Sequence, residues 1–183
     1  MKQTLFLPLL ACLFIFAQCK KNKNEEAQLP SATTTGAMTF GCKINGKVFV
    51  PRDGSGRPGL YCQYVNLGTG TGGGWYLNIP ATDWHVNPPM GMKIGADSLL
   101  ISEGSRYEFK LDNNNQTKKG EFSAMFADAG YGYLKTNDDN GSILITKFDQ
   151  ARNIISGTFY FTATNLGTGL KVNITEGRFD IRY

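Results

Sequence analysis

In this chain of 183 residues, the stretch Ile155-Ser156-Gly157-Thr158-Phe159-Tyr160-Phe161-Thr162-Ala163 places an apolar or small residue at every odd position and a hydroxyl at every even one. Successive side chains of a strand point to opposite faces, so this period-two pattern buries one face and leaves the other wet. The C-terminal run Arg178-Phe179-Asp180-Ile181-Arg182-Tyr183 repeats the pattern with charges at the even positions. A register slip of one residue would carry Arg178, Asp180 and Arg182 into the core. Because the pattern reaches Tyr183, even a short C-terminal truncation should damage the fold.

The rest of the chain after residue 38 reads the same way. Asn45-Gly46 lies between apolar runs at 39–44 and 47–50, and this dipeptide supplies the positive φ angles of a type I′ hairpin turn. Further short runs at 60–65, 74–79, 93–102, 105–111, 120–127, 130–136 and 142–149 are separated by turn chemistry such as Glu103-Gly104 and Asn137-Asp138-Asp139-Asn140-Gly141. No segment has the 3.6-residue period of an amphipathic helix of three turns. These observations predict one all-β antiparallel domain over 38–183 with about ten strands, either a β-sandwich or a partly closed β-barrel.

Upstream, Lys2 precedes an apolar run at 5–17 that stops at Ala17-Gln18-Cys19 and gives way to Lys20-Lys21-Asn22-Lys23-Asn24-Glu25-Glu26. The run is near the 7–15 residues of a signal h-region and short of the roughly 20 that cross a bilayer. An ordinary secretory signal or a short membrane anchor would share that length. The segment resembles a bacterial lipobox, with Phe16 and Gln18 standing where Leu and a small residue are usual; such relaxed boxes occur among Bacteroidota lipoproteins. The resemblance implies that residues 1–18 are removed and that Cys19 is acylated. The chain would then be held in the outer membrane of the cell envelope by several acyl chains, each buried methylene contributing about 0.8 kcal/mol. Residues 19–37, poor in apolar side chains, read as a flexible tether with a reach of about 25 Å. Lys23-Asn24-Glu25-Glu26 weakly resembles an acidic surface-export signal, and the periplasmic and surface faces both stay open.

The net charge of +4 is spread over scattered Lys and Arg, so no basic stripe argues for nucleic acid. With Cys12 in the leader and Cys19 acylated, Cys42 and Cys62 remain; they are either a disulfide suited to an exported protein or two small core residues. No Cys-x-x-Cys pair occurs and His85 is the sole histidine, which disfavours a metal site; no cofactor is expected. Asp138, Asp139 and Asn140 carry the oxygen ligands calcium prefers, although a hairpin tip accounts for them. Gly54-Ser55-Gly56-Arg57-Pro58-Gly59 and Gly68-Thr69-Gly70-Thr71-Gly72-Gly73 fit G-x-G-x-x-G, but neither opens a helix, as dinucleotide binding requires. Asn66-Leu67-Gly68-Thr69-Gly70 recurs as Asn165-Leu166-Gly167-Thr168-Gly169, which similar turn chemistry explains.

Catalytic groups are sparse. Asp83 and His85 would form a base and its orienter if a serine approached, and no pair of acids stands out for carboxylate-only hydrolysis. Trp75, Tyr76, Trp84, Tyr131 and Tyr133 lie in or beside Gly- or Pro-rich loops, where flat faces can meet sugars, peptides or apolar ligands. Of these, Trp84 and Tyr131 are expected to be exposed and to bind. Asp97-Ser98-Leu99 resembles the acceptor motif for O-linked glycans in exported Bacteroidota proteins, which would make Ser98 accessible.

Phe40-x-Cys42-Lys43-Ile44-Asn45-Gly46-Lys47-x-Phe49-x-Pro51, Ile143-x-Ile145-Thr146-x-Phe148-Asp149, Ile155-Ser156-Gly157-Thr158-Phe159-x-Phe161-x-Ala163 and Thr175-Glu176-Gly177-Arg178-Phe179-Asp180 together resemble a family of small Bacteroidota lipoproteins of unknown function. The resemblance implies no catalytic residue. The expected role is a non-catalytic, lipid-anchored module for a glycan, peptide, protein or small apolar ligand. A small envelope hydrolase using Asp83 and His85, and a structural lipoprotein without ligand, are the alternatives.

Overall fold

The computed structural model describes residues 28–111, 114–135 and 139–183. Among them the chain forms eleven strands and no helix: β1 (Thr39–Ile44), β2 (Lys47–Phe49), β3 (Gln63–Asn66), β4 (Trp75–Asp83), β5 (Met90–Ala96), β6 (Arg106–Glu108), β7 (Phe122–Asp128), β8 (Tyr131–Leu134), β9 (Gly141–Asp149), β10 (Ile154–Thr164) and β11 (Lys171–Arg182). The turn between β1 and β2 has φ of 47° at Asn45 and 84° at Gly46, as a type I′ hairpin requires.

All strand pairs are antiparallel and belong to one sheet that forks at β10. One edge of β10 pairs with β11 along its whole length. The other edge pairs with β9 from Ile154 to Phe161 and then with β8 through Thr164↔Leu134. The fork yields a six-strand layer, β2-β1-β11-β10-β9-β6, and a five-strand layer, β8-β7-β5-β4-β3. Side chains from the two layers meet in one core: Tyr64 of β3 lies 5.6 Å from Phe148 of β9 and 5.4 Å from Tyr183, ring centre to ring centre, and Cys42 Sγ of β1 lies 3.9 Å from Met92 Sδ of β5. The fold is therefore sandwich-like and all-β, and the sheet does not close into a barrel. Each fully buried large apolar side chain contributes about 1.5–3 kcal/mol.

The alternation in β10 is seen directly, with Ile155, Phe159, Phe161 and Ala163 buried and Thr158 and Tyr160 exposed. Two glycines complete that face. Gly157 is the register partner of Phe179, and Phe159 of Gly177, so each ring lies over a glycine on the next strand. A Cβ at Gly177 would fall 2.5 Å from the Phe159 ring, and one at Gly157 would fall 2.6 Å from both Phe179 and the Leu144 carbonyl oxygen.

Several strand boundaries depart from the sequence reading, among them those of β3 and β5. The run at 60–65 joins the ladder only from Gln63, because the neighbouring strand carries Pro80: Tyr61 N donates to Pro80 O, but Pro80 has no N–H to return. The run at 93–102 starts earlier, at Met90, and stops at Ala96, beyond which Ser98 adopts φ 50° and the chain turns out of the ladder.

Part of the segment expected to be a flexible tether, 19–37, is docked on the domain. Residues 19–27 lie outside the described part, but residues 28–37 form a strap across the outer face of β1, β11 and β10. Pro30 packs where a Cβ at Gly41 would stand, 2.6 Å away. Further on, the Asp180 carboxylate accepts hydrogen bonds from Thr33 Oγ1 (2.6 Å), Thr35 N (2.9 Å), Gly36 N (2.7 Å) and Ala37 N (3.2 Å), and from Ser156 Oγ of the neighbouring strand (2.7 Å). This strap explains why Asp180 and Ser156 are buried although they sit on the wet face by periodicity: Asp180 is 1% exposed and Ser156 is 0% exposed.

Candidate functional site

The sequence-predicted residues do not converge. Trp84, expected to be exposed, is half-buried: its indole Nε1 donates to Pro58 O at 3.1 Å, and Arg57 stacks on its ring at 5.1 Å. The indole braces the turn at 54–57 rather than presenting a free face. Tyr131 is 62% exposed, at the start of β8 on the β7–β8 hairpin, and does not line the cleft described below. Trp75 stacks on Tyr64 at 4.7 Å and Tyr133 packs on Phe126 at 5.7 Å, so both fill the core. Ser98 is half-buried and its hydroxyl is engaged with Gly73 O at 2.9 Å and Tyr76 OH at 3.0 Å.

Cys42 and Cys62 are free thiols, not a disulfide. Cys42 is committed to the core beside Met92, and Cys62 packs against the core from the irregular segment before β3. Burial pushes both thiols up to about 12, which removes the thiolate that reacts.

Asp83 and His85 do not form a catalytic pair here. Both Asp83 oxygens are held by Arg52, through Nε at 2.8 Å and Nη2 at 2.6 Å, while the backbone N of His85 donates to Oδ1 at 2.9 Å. The imidazole is exposed and has no hydrogen-bond partner among the described residues. Asp83 is thus a bidentate anchor for the segment before β3. Asp139 is likewise used, by Thr164 Oγ1 and Lys171 Nζ, each at 2.7 Å; Asp138 lies outside the described residues. Among the described residues, no group of three or more His, Cys, Asp or Glu is placed to hold a metal. The two Asn-Leu-Gly-Thr-Gly copies do share turn chemistry: Asn66 Oδ1 accepts from Gly68 N, and Asn165 Oδ1 from Gly167 N and Thr168 N.

What the fold does assemble is a charged cleft of about 400 Å³ at the fork, within the size range of small-ligand sites. Its origin is topological. Where β9 begins at Gly141 and β8 has ended at Leu134, β10 changes neighbour, and the chain after β6 crosses the gap: Phe109 N donates to Gly141 O and Lys110 N to Phe122 O of β7. The diverging strands leave a notch. Arg106, Lys110, Lys118 and Lys135 line it against the acids Glu108 and Asp139, with Ser142 and Tyr160 between. Tyr160 is 48% exposed and faces outward from β10. Arg106 Nη1 donates to Ser142 Oγ at 3.0 Å, which orients the guanidinium across β9. Lys110 lies 3.7 Å from Glu108 and 3.8 Å from Glu121, exposed ion pairs of the kind worth only about 0–1 kcal/mol.

The scattered Lys and Arg of the sequence are grouped here by strand pairing. Arg106, Glu108 and Lys110, two residues apart, share one strand face; that spacing was the available signal. Nothing local in the sequence marks Lys135 or Tyr160 as their neighbours.

Comparison with known proteins adds one match. Residues 97–180 match a protein family described as a domain of unknown function, DUF6252. No curated protein and no solved structure matches the chain. The matched span includes every residue that lines the cleft.

Proposed function

We infer that this chain is a lipid-anchored cell-envelope module that binds, without chemistry, a small polar ligand bearing negative charge. The observation that carries this reading is the notch at the β10 fork, where four cations and two acids surround Tyr160 and Ser142. Cationic donors beside a hydroxyl and a half-exposed aromatic face suit a carboxylated sugar: the charges take the carboxylate, and the ring takes the sugar's apolar face. Among the ligand classes that the sequence leaves open, an acidic glycan fits these groups, and a purely apolar ligand would leave them desolvated. The hydrolase alternative lacks support, since Asp83 is occupied by Arg52.

Anchoring rests on the leader, Cys19 above all, and places the module in the outer membrane. No helix among the described residues is long and apolar enough to cross a membrane. Both parts are testable with the full chain. Metabolic palmitate labelling should mark the protein and be abolished by Cys19→Ala. In detergent micelles, calorimetric titration with galacturonate should show saturable binding that glucose does not, weakened at least tenfold by Arg106→Ala. Equal response to both sugars, or none to either, refutes the binding role.

A further inference from the structure

The cleft is one end of a longer surface feature. Arg106 and Tyr160 also line a second depression, shared with Thr158 and Arg178. Glu176 and Arg178 in turn line a third, with Lys43 and Lys47. The strand register explains part of the continuity: Arg106↔Leu144, Leu144↔Thr158 and Thr158↔Arg178 form one row across β6, β9, β10 and β11, and at Gly41, the next position on β1, Pro30 of the strap covers the face. From Arg178 the surface continues beside the strap to Lys43 on β1 and Lys47 on β2, which lie off that row, Lys47 pairing with Ile44; the six strands together span about 24 Å at the spacing of hydrogen-bonded strands.

Its charge is distinctive. The three depressions hold seven cations, namely Arg106, Lys110, Lys118, Lys135, Arg178, Lys43 and Lys47, against the three acids Glu108, Asp139 and Glu176. Among the described residues fifteen Lys and Arg stand against eleven Asp and Glu, an excess of four, and the three depressions carry all of that excess. Acids stand among the cations: Glu176 meets Lys43 at 2.6 Å and Arg178 at 3.8 Å. These pairs are exposed and cheap to exchange for a ligand's groups.

We propose that this face is a track for an extended acidic polysaccharide, entered at the fork cleft and running across the sheet toward β2. The proposal rests on the cleft reading above and lengthens its ligand from one acidic sugar to a chain. A carbohydrate polymer presents both hydroxyl donors and carboxylate acceptors, which a face carrying mostly cations with acids among them satisfies. A polyphosphate presents acceptors only and would meet Glu108 and Glu176 as repulsive neighbours. Tyr160, shared by the first two depressions, supplies an aromatic face midway. Gln28, Leu29 and Ala32 of the strap form one bank of the track, so the path runs beside the point where the tether leaves the domain.

The test measures affinity of the full chain in detergent micelles for oligogalacturonates of one to six units, with maltohexaose as the neutral control. Affinity should rise at least tenfold from one unit to six and fall with added salt. The double variant Lys47→Ala/Arg178→Ala should abolish that rise while leaving the single unit's affinity unchanged, with an unaltered thermal midpoint as evidence of folding. Arg106→Ala should weaken every length. Binding of the single unit without a gain on lengthening overturns the track and leaves the cleft reading intact. Loss of binding at every length overturns both. Lys47- and Arg178-dependent binding to phosphatidylglycerol vesicles without oligogalacturonate binding assigns the face to lipid headgroups and overturns the proposal.

Discussion

Replacing Asp180 with asparagine should release the strap without unfolding the sheet. Oδ1 accepts the two most deeply buried bonds, from Gly36 N and Ser156 Oγ, both at 2.7 Å. Oδ2 accepts from Thr33 Oγ1, Thr35 N and Ala37 N. An asparagine keeps one oxygen, and its best placement preserves the Gly36 and Ser156 bonds. Its NH2 then faces Thr35 N and Ala37 N, two backbone donors that cannot reverse. A hydrogen bond to a charged group is worth about 1.5–3 kcal/mol, so the strap loses about 3–6 kcal/mol of contact if it stays in place. It is peripheral, however, and can instead hand its amides to water, which caps the measured cost at what its docking was worth, about 2–3 kcal/mol. Hydrogen exchange should therefore show protection lost at Thr35, Gly36 and Ala37, while amides of β10 and β11 stay protected. Unchanged protection at those three amides refutes the argument, and so does simultaneous loss across both strands. Acidity gives the matching curve. Burial pushes the Asp180 carboxyl up, but the hydroxyls of Thr33 and Ser156 and the amides of Thr35 and Gly36 outweigh it and hold the group far below the usual carboxylate range. A carboxyl depressed in the folded state contributes its stability above its unfolded value, about 3.9, and loses it as pH falls toward the folded value. The strap should stay docked at pH 5 and loosen only in acid below about pH 4.

Other expectations follow from single contacts. Gly157→Ala should cost about 1–3 kcal/mol in urea denaturation, because its Cβ meets the Leu144 carbonyl as well as the Phe179 ring; a neutral result would mean the strands separate more easily than this packing implies. Native protein should resist iodoacetamide at Cys42 and Cys62 at pH 8, since burial keeps both thiols protonated, and both should react fully in denaturant; absence of free thiols after denaturation would show a disulfide instead. Arg52→Ala should destabilise by about 1–3 kcal/mol, stranding the Asp83 carboxylate with the His85 amide alone, whereas His85→Ala should leave the denaturation midpoint unchanged because the imidazole is exposed.

Much of the architecture was legible because period-two burial is a local signal. Ile155 to Ala163 and the Asn45-Gly46 turn declared themselves, and β10 and the β1–β2 hairpin stand where those residues put them. Failures came where a distant neighbour decided the outcome. Pro80 cuts short the pairing of the segment before β3, although it is nearly twenty residues away in sequence. Asp180 looked like a solvated charge because its position on β11 faces water, and only the strap, some 145 residues upstream, makes it a buried acceptor. Trp84 looked free because composition cannot show that Pro58 and Arg57 fold back over it.

The cleft shows why functional legibility fell below fold legibility. A binding site on a sandwich usually gathers on loops at one end, where sequence clusters of aromatic or charged residues give it away. Here the opening is made by one strand changing partners along a single edge: β10 leaves β9 after Phe161 and takes β8 at Thr164. Residues from β6, from the segment after β8, from the start of β9 and from the middle of β10 are drawn to that fork from positions 106 to 160. Arg106 and Glu108 stand on the outer face of β6, a place where charge is the default for solubility and carries no message by itself, while Lys135, Asp139 and Ser142 are buried at the notch, which no local pattern announces. The information lies in register. Shifting β9 by two residues against β10 would preserve every inward-facing side chain and every burial preference, yet it would move Ser142 from opposite Tyr160 and close or displace the notch. The core thus tolerates alternatives that the cleft does not, and the Gly157–Phe179 and Gly177–Phe159 pairs, which fit one register only, are what hold β10 against β11 where the fork requires it.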